Sequence, residues 1–128
     1  MTVIIGLSGK KGVGKNTYYH LTKVKIDGDE TGIVAKVSFS DALKTTARLV
    51  GWDGKKDEKG RRLLQLLGTD VVRKCIDDDA WVKAGEKRIR ELMDRSDPPR
   101  IIFITDLRFQ NEAAMLKRLG AELWRIRR

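Results

Sequence analysis

Residues 9–17, Gly-Lys-Lys-Gly-Val-Gly-Lys-Asn-Thr, bring three glycines, a closing lysine and a hydroxyl together at the spacing that binds phosphate. Glycines let the backbone curl until successive N–H groups converge on one anion. A helix beginning at Asn16 adds the partial positive charge of its N-terminus. Lys15 then bridges phosphate oxygens as a mobile point charge. The apolar run Val3-Ile4-Ile5-Gly6-Leu7 before the loop reads as a buried strand, and the order strand, glycine-rich loop, lysine, helix is that of a Walker A phosphate-binding loop. The implied ligand class is a nucleoside triphosphate. Asn16 stands where such loops usually carry Ser or Thr, so Thr17 is the hydroxyl left to bond a phosphate or a metal-bound water.

A second group lies at the end of another apolar run, Ile101-Ile102-Phe103-Ile104-Thr105, which closes on Asp106 and Arg108. A carboxylate at the carboxyl end of a buried strand beside a phosphate loop suits magnesium held through water. Arg108 offers a planar fork for a phosphate. The bland alternative, a surface Asp–Arg pair, would contribute little. A third stretch, Arg61 to Asp70, reads as an amphipathic helix with Arg62 and Gln65 on its polar side, and by spacing alone it is no more than a solvated face.

The elements that must position these groups alternate. A helix follows the loop, over residues 16–24. The run 33–39 reads as a second strand, and Ser40 is placed to cap a helix from Asp41 to about Val50. Residues 51–60 read as a charged loop, 61–67 as a helix with a leucine face, and Gly68-Thr69-Asp70 as a stop, a fresh cap and a short helix to Ile76. Residues 78–95 form an amphipathic helix ended by Pro98-Pro99. A last helix runs from Phe109 to Gly120 and a last strand over 121–126. Strands alternating with helices predict a parallel sheet covered on both faces, with ligands at the carboxyl ends of the strands.

The chain has 128 residues, 41% hydrophobic and 35% charged, as expected of one soluble domain. No apolar run reaches the roughly 20 residues of a membrane helix. No signal peptide is read before the first strand, so the expected location is the cytoplasm. The lone Cys75 excludes an internal disulfide, and His20 has no partner motif. The net charge of +9 is spread through loops and helices without aromatic interleaving, which favours phosphate sites on a solvated surface over a nucleic-acid tract.

Four blocks carry a resemblance to a known family: Leu7 to Thr17; Ser38-Phe39-Ser40-Asp41-Ala42-Leu43-Lys44; Arg61 to Asp70, continuing to Trp81-Val82-Lys83; and Thr105 to Glu112, continuing to Leu119-Gly120-Ala121. Together they make the chain resemble the bacteriophage-type deoxynucleoside monophosphate kinases of the P-loop nucleotide kinase group. The resemblance implies an α/β fold, a parallel sheet of about four strands in the three-layer P-loop kinase arrangement. It implies one domain over residues 1–128, with the substrate-binding helical part at about 41–95.

The resemblance also implies transfer of the ATP γ-phosphate to a deoxynucleoside 5′-monophosphate, with magnesium. Gly12, Val13, Gly14, Lys15, Asn16 and Thr17 would hold ATP, and Lys11 would face the acceptor phosphate. Arg62 would hold the monophosphate, Gly68 and Thr69 would line its base or sugar pocket, and Trp81 would contact the base or anchor the core. Asp106, Arg108 and Glu112 would complete the metal and acceptor side, with Lys15, Arg108 and Asp106 closest to catalysis and Thr17 and Asp106 near the metal. The family's lid, its final strand and its adenine loop find no counterpart before the chain stops at Arg128. A noncatalytic nucleotide- or nucleic-acid-binding protein, or another small-molecule P-loop kinase, therefore stays as the alternative. A homodimer is left open.

Overall fold

The structure is a computed structural model that describes residues 2–9, Tyr19 and residues 33–126. Within these are four strands, the first three built on β-branched side chains: β1 (Val3–Ser8), β2 (Val34–Val37), β3 (Ile101–Ile104) and β4 (Glu122–Arg125). All pairings are parallel, in the order β2-β3-β1-β4. Every strand therefore ends at the same edge. Gly6 and Val37 both pair with Ile104, so β2 and β3 end level and β1 runs two residues further, to Ser8.

The helices are α1 (Ser40–Leu49), α2 (Glu58–Gln65), a wide-turned π-helical segment (Leu66–Arg73), α3 (Ala80–Met93) and α4 (Gln110–Arg118). Alternation along the strands divides the core between the two sheet faces. Ile4, Val37, Ile102 and Ile104 join Val82, Ile89 and Leu92 of α3 and Met115 and Leu116 of α4. Ile5, Leu7, Val34 and Phe103 form the opposite cluster, with the ring of Tyr19 edge-on to Phe103 at 6.2 Å. Continuous apolar strands are thus explained by burial on both sides. Glu86 ties α3 to α4 by accepting from Arg118 at 3.2 Å while holding Arg90 at 2.9 Å.

Two elements differ from the sequence expectation. The second helix begins earlier, at Glu58 within the stretch expected to be a loop, because the Asp57 carboxylate accepts from Gly60 N at 2.8 Å and caps it. Gly68 does not stop the chain. The helix passes through it as a π turn, in which Lys74 N donates to Thr69 O five residues back. Gly68 is buried there, with Leu43 against it at 3.2 Å from where a Cβ would stand and with its carbonyl accepting from the Trp81 indole N–H at 3.0 Å. The widened turn is thus held by tertiary partners.

Gly85 of α3 lets the buried Phe39 ring lie directly on the helix backbone: a Cβ at Gly85 would stand 2.8 Å from that ring. Gly85→Ala should destabilise the protein by about 1–3 kcal/mol despite the better helix propensity of alanine. Urea unfolding of the two proteins checks this, and equal or higher stability of the variant would contradict the packing.

Candidate functional site

The carboxyl edge of the sheet collects the chemistry. β1 leaves the sheet through Ser8 into Gly9, whose φ of 146° is a backbone conformation that side-chain-bearing residues rarely adopt. The glycine-rich loop starts here. Lys11, Gly12, Val13, Gly14, Lys15, Asn16 and Thr17, with most of the helix expected after them and His20, lie outside the described residues. β3 runs beside β1 and delivers Asp106 to the same place. Leu107 N donates to Leu7 O at 3.3 Å, so the turn after β3 is stitched to the last residues of β1.

Asp106 spends its carboxylate on the neighbouring strand. Oδ1 accepts from Phe39 N at 2.8 Å, and Oδ2 accepts from the Ser38 hydroxyl at 2.6 Å and from Ser40 N at 3.0 Å. Ser38 and Phe39 follow β2 directly, and Ser40 opens α1. Asp106 therefore satisfies N–H groups that a helix N-terminus leaves without intrahelical partners, which sequence reasoning had assigned to a Ser40 cap. The Ser40 hydroxyl instead pairs with that of Ser38 at 2.8 Å. A carboxylate carries about four lone-pair positions, so three internal donors leave it suited to hold a metal-bound water rather than to wrap an ion. Among the described residues no cluster of three or more His, Cys, Asp or Glu is arranged to hold a metal.

Glu112 repeats the device one turn later. It is 5% exposed, and its Oε1 accepts from Arg108 N at 2.8 Å and Phe109 N at 2.9 Å, capping α4. Glu112 is the third helical residue after Phe109, from which a carboxylate reaches back to the N–H groups before the helix, but Phe109 lacks the cap side chain that would have signalled it in the sequence. Burial pushes the Glu112 carboxyl above its ordinary value, with a further push from the Asp106 charge. The two backbone N–H groups and the Arg73 guanidinium oppose the rise. Asn111 secures the same corner by donating to Asp79 at 2.8 Å, just before α3.

With both carboxylates turned to backbone donors, the arginines face outward. Arg108 is exposed, and no carboxylate pairs with its guanidinium among the described residues. Arg62 is likewise exposed on α2, without a partner there. Thr69 is exposed and Gly68 buried on the π segment, with Trp81 half-buried beneath it. The fold thus gathers Gly9, Asp106, Arg108 and Glu112 at one edge, and gathers Gly68, Thr69 and Trp81 in the helical part packed beside it. Sequence reasoning missed Ser38, Phe109 and Arg73. The Arg73 guanidinium lies over the Phe109 ring, 4.7 Å from its centroid, and joins the two groups.

A family model described as deoxynucleotide monophosphate kinase matches residues 29–128. A protein of Acanthamoeba polyphaga mimivirus named "Putative deoxynucleotide monophosphate kinase" is 31% identical over an aligned stretch of 150 positions, which takes in 98% of this chain and 74% of that protein. No helix among the described residues is long and apolar enough to cross a membrane.

Asp106→Ala removes the acceptor for three donors and should cost roughly 2 kcal/mol or more of stability with neither nucleotide nor metal present. An unchanged melting temperature in that condition would make the clamp irrelevant to the fold. Glu112 gives a pH signature. Its folded-state pKa lies above the ordinary 4.5, so the native state holds its proton to higher pH than the unfolded chain does. Between about 4.5 and the raised value the wild type should lose stability relative to Glu112→Gln as pH rises. Urea titrations of both proteins from pH 4 to 7 read this difference; a flat or rising difference would contradict the burial effect.

Proposed function

Because the chain belongs to the deoxynucleotide monophosphate kinase family, we propose that it transfers the γ-phosphoryl group of ATP to a deoxynucleoside 5′-monophosphate in the cytoplasmic nucleotide pool. The observation that carries this reading is one of placement. The start of the glycine-rich loop, the Asp106–Arg108 turn and the N-terminus of α1 meet at a single edge through the Leu107–Leu7 and Asp106–Ser38/Phe39/Ser40 bonds. Donor and acceptor phosphates both belong at such an edge.

In this reading Gly12, Val13, Gly14, Lys15, Asn16 and Thr17 cradle the ATP phosphates. Lys11 faces the acceptor phosphate and Arg62 grips it. Gly68 and Thr69 line the pocket for its sugar or base. Trp81 offers a ring face alone, since its N–H is committed to Gly68. An acceptor phosphate oxygen forms the new bond to the γ-phosphorus while the bond to the β–γ bridging oxygen breaks, leaving ADP and a deoxynucleoside diphosphate. That oxygen is already ionised, so no strong general base is needed. Catalysis is then positioning and charge stabilisation, with Lys15 and Arg108 on the transferring group. Asp106 and Thr17 would hold a magnesium ion through water, and the ion would supply positive charge to the phosphates. Glu112 serves the same side from behind, by fixing the backbone from which Arg108 extends.

ADP formation from ATP and magnesium should depend on adding one of dGMP, dTMP, dCMP or dAMP, and Lys15→Ala should abolish it while leaving the melting temperature unchanged. Turnover indifferent to every acceptor, or undiminished in Lys15→Ala, would overturn the reading.

A further inference from the structure

The helical part carries one arginine that no role yet explains. Arg73 closes the π segment, and its guanidinium lies on the Phe109 ring 4.7 Å from the centroid. Phe109 is nearly half exposed and begins α4 one residue after Arg108. The ring therefore holds Arg73 against the residue that follows Arg108 in the chain. Glu112 feels the Arg73 charge, but among the described residues the two form no ion pair, and Glu112 Oε1 accepts from Arg108 N and Phe109 N. The other carboxylate at this corner, Asp106, is filled by Ser38, Phe39 and Ser40. Among the described residues neither Arg73 nor Arg108 forms an ion pair, although Glu112 lies near enough to feel the Arg73 charge. Uncompensated cationic forks held in fixed geometry are the usual recognition chemistry for phosphate. A cation resting on an aromatic face has already given up part of its rotational freedom, which lowers the cost of ordering it around a ligand.

We propose that Arg73, held on the Phe109 ring, is a phosphate-binding residue for the acceptor monophosphate, gripping it from the π segment while Arg108 reaches from the turn after β3. The acceptor rather than ATP is the assigned ligand because Arg73 belongs to the helical stretch that continues from Arg62 through Gly68 and Thr69. The π turn gains a purpose as well. An extra residue per turn rotates the last helical positions relative to a regular helix, and Arg73, which meets the Phe109 ring, is the last of them. This proposal rests on the reading of the chain as a monophosphate kinase.

The test is calorimetric binding of the four deoxynucleoside monophosphates and of ATP to the whole chain, with Arg73→Gln, Arg73→Lys and Phe109→Leu beside the wild type. Arg73→Gln should weaken the preferred monophosphate roughly 10- to 100-fold while ATP affinity stays within about twofold and the melting temperature holds. Arg73→Lys should recover part of the loss, because charge returns without the fork. Phe109→Leu should weaken the monophosphate by about threefold through loss of the ring face. Unchanged monophosphate affinity in Arg73→Gln, or an equal fall for ATP, would overturn the assignment. If the wild type binds a monophosphate without transferring phosphate to it, the kinase reading fails while Arg73 is still judged by these affinities. If the wild type binds no monophosphate, both fall.

Discussion

One carboxylate holds the functional edge together. Asp106 stands where β3 ends and takes its hydrogen bonds from Ser38, Phe39 and Ser40, where β2 ends and α1 begins. Through the next residue, Leu107, the same turn is bonded to Leu7 at the end of β1. Three parallel strands are thereby fixed to one another at their carboxyl ends by side-chain and turn bonds as well as by the ladder. Parallel sheets place their ligand sites at that edge, so the clamp is also what sets the position of the glycine-rich loop's first residue relative to Arg108. Hydrogen bonds to an ionised group are among the stronger ones in proteins, and the half-buried setting of Asp106 shields them from water.

The same logic orders the charges around the site. Two carboxylates, Asp106 and Glu112, are consumed by backbone N–H groups at the starts of α1 and α4, where helix dipoles favour negative charge. Of the arginines nearby, Arg108 is exposed and Arg73 lies half-buried on the Phe109 ring, and among the described residues neither forms an ion pair with a carboxylate. A chain of net charge +9 therefore concentrates unpaired positive charge at the place where phosphate groups are expected, instead of spending it on surface ion pairs of small value. Elsewhere the charges do pair: Glu86 with Arg90 and Arg118, and Lys83 with Asp77. Membership in a family of nucleotide kinases gives this division a use, since each substrate brings its own negative charge.

Much of the fold was legible because its signals are local. Apolar runs rich in Val and Ile marked β1 and β3, and burial on both sheet faces explains why they lack a polar face. Gly120 ended α4 as its position implied. Other features were hidden because they depend on residues far away in sequence. The π turn across Gly68 exists because Leu43 packs on the glycine and Trp81, 13 residues on, donates to its carbonyl. Read alone, the same glycine looks like a helix stop. Arg73 and Phe109 sit 36 positions apart (109 minus 73), and no periodicity links them.

The sequence by itself determined the class of the protein: strands alternating with helices, a phosphate-loop spacing from Gly9 to Lys15, and four blocks that place the chain among deoxynucleotide monophosphate kinases. These follow from residue type and short-range spacing, which determine backbone preference and local chemistry. Tertiary structure decided how the polar groups divide their work. Whether Asp106 faces a metal or a helix start, whether Glu112 touches solvent or caps α4, and which arginines remain unpaired all depend on which donors the folded chain brings within about 3 Å. Hydrogen bonding is short-ranged and saturable, so a carboxylate's role is fixed by the partners that reach it first, and only the assembled sheet edge chooses them.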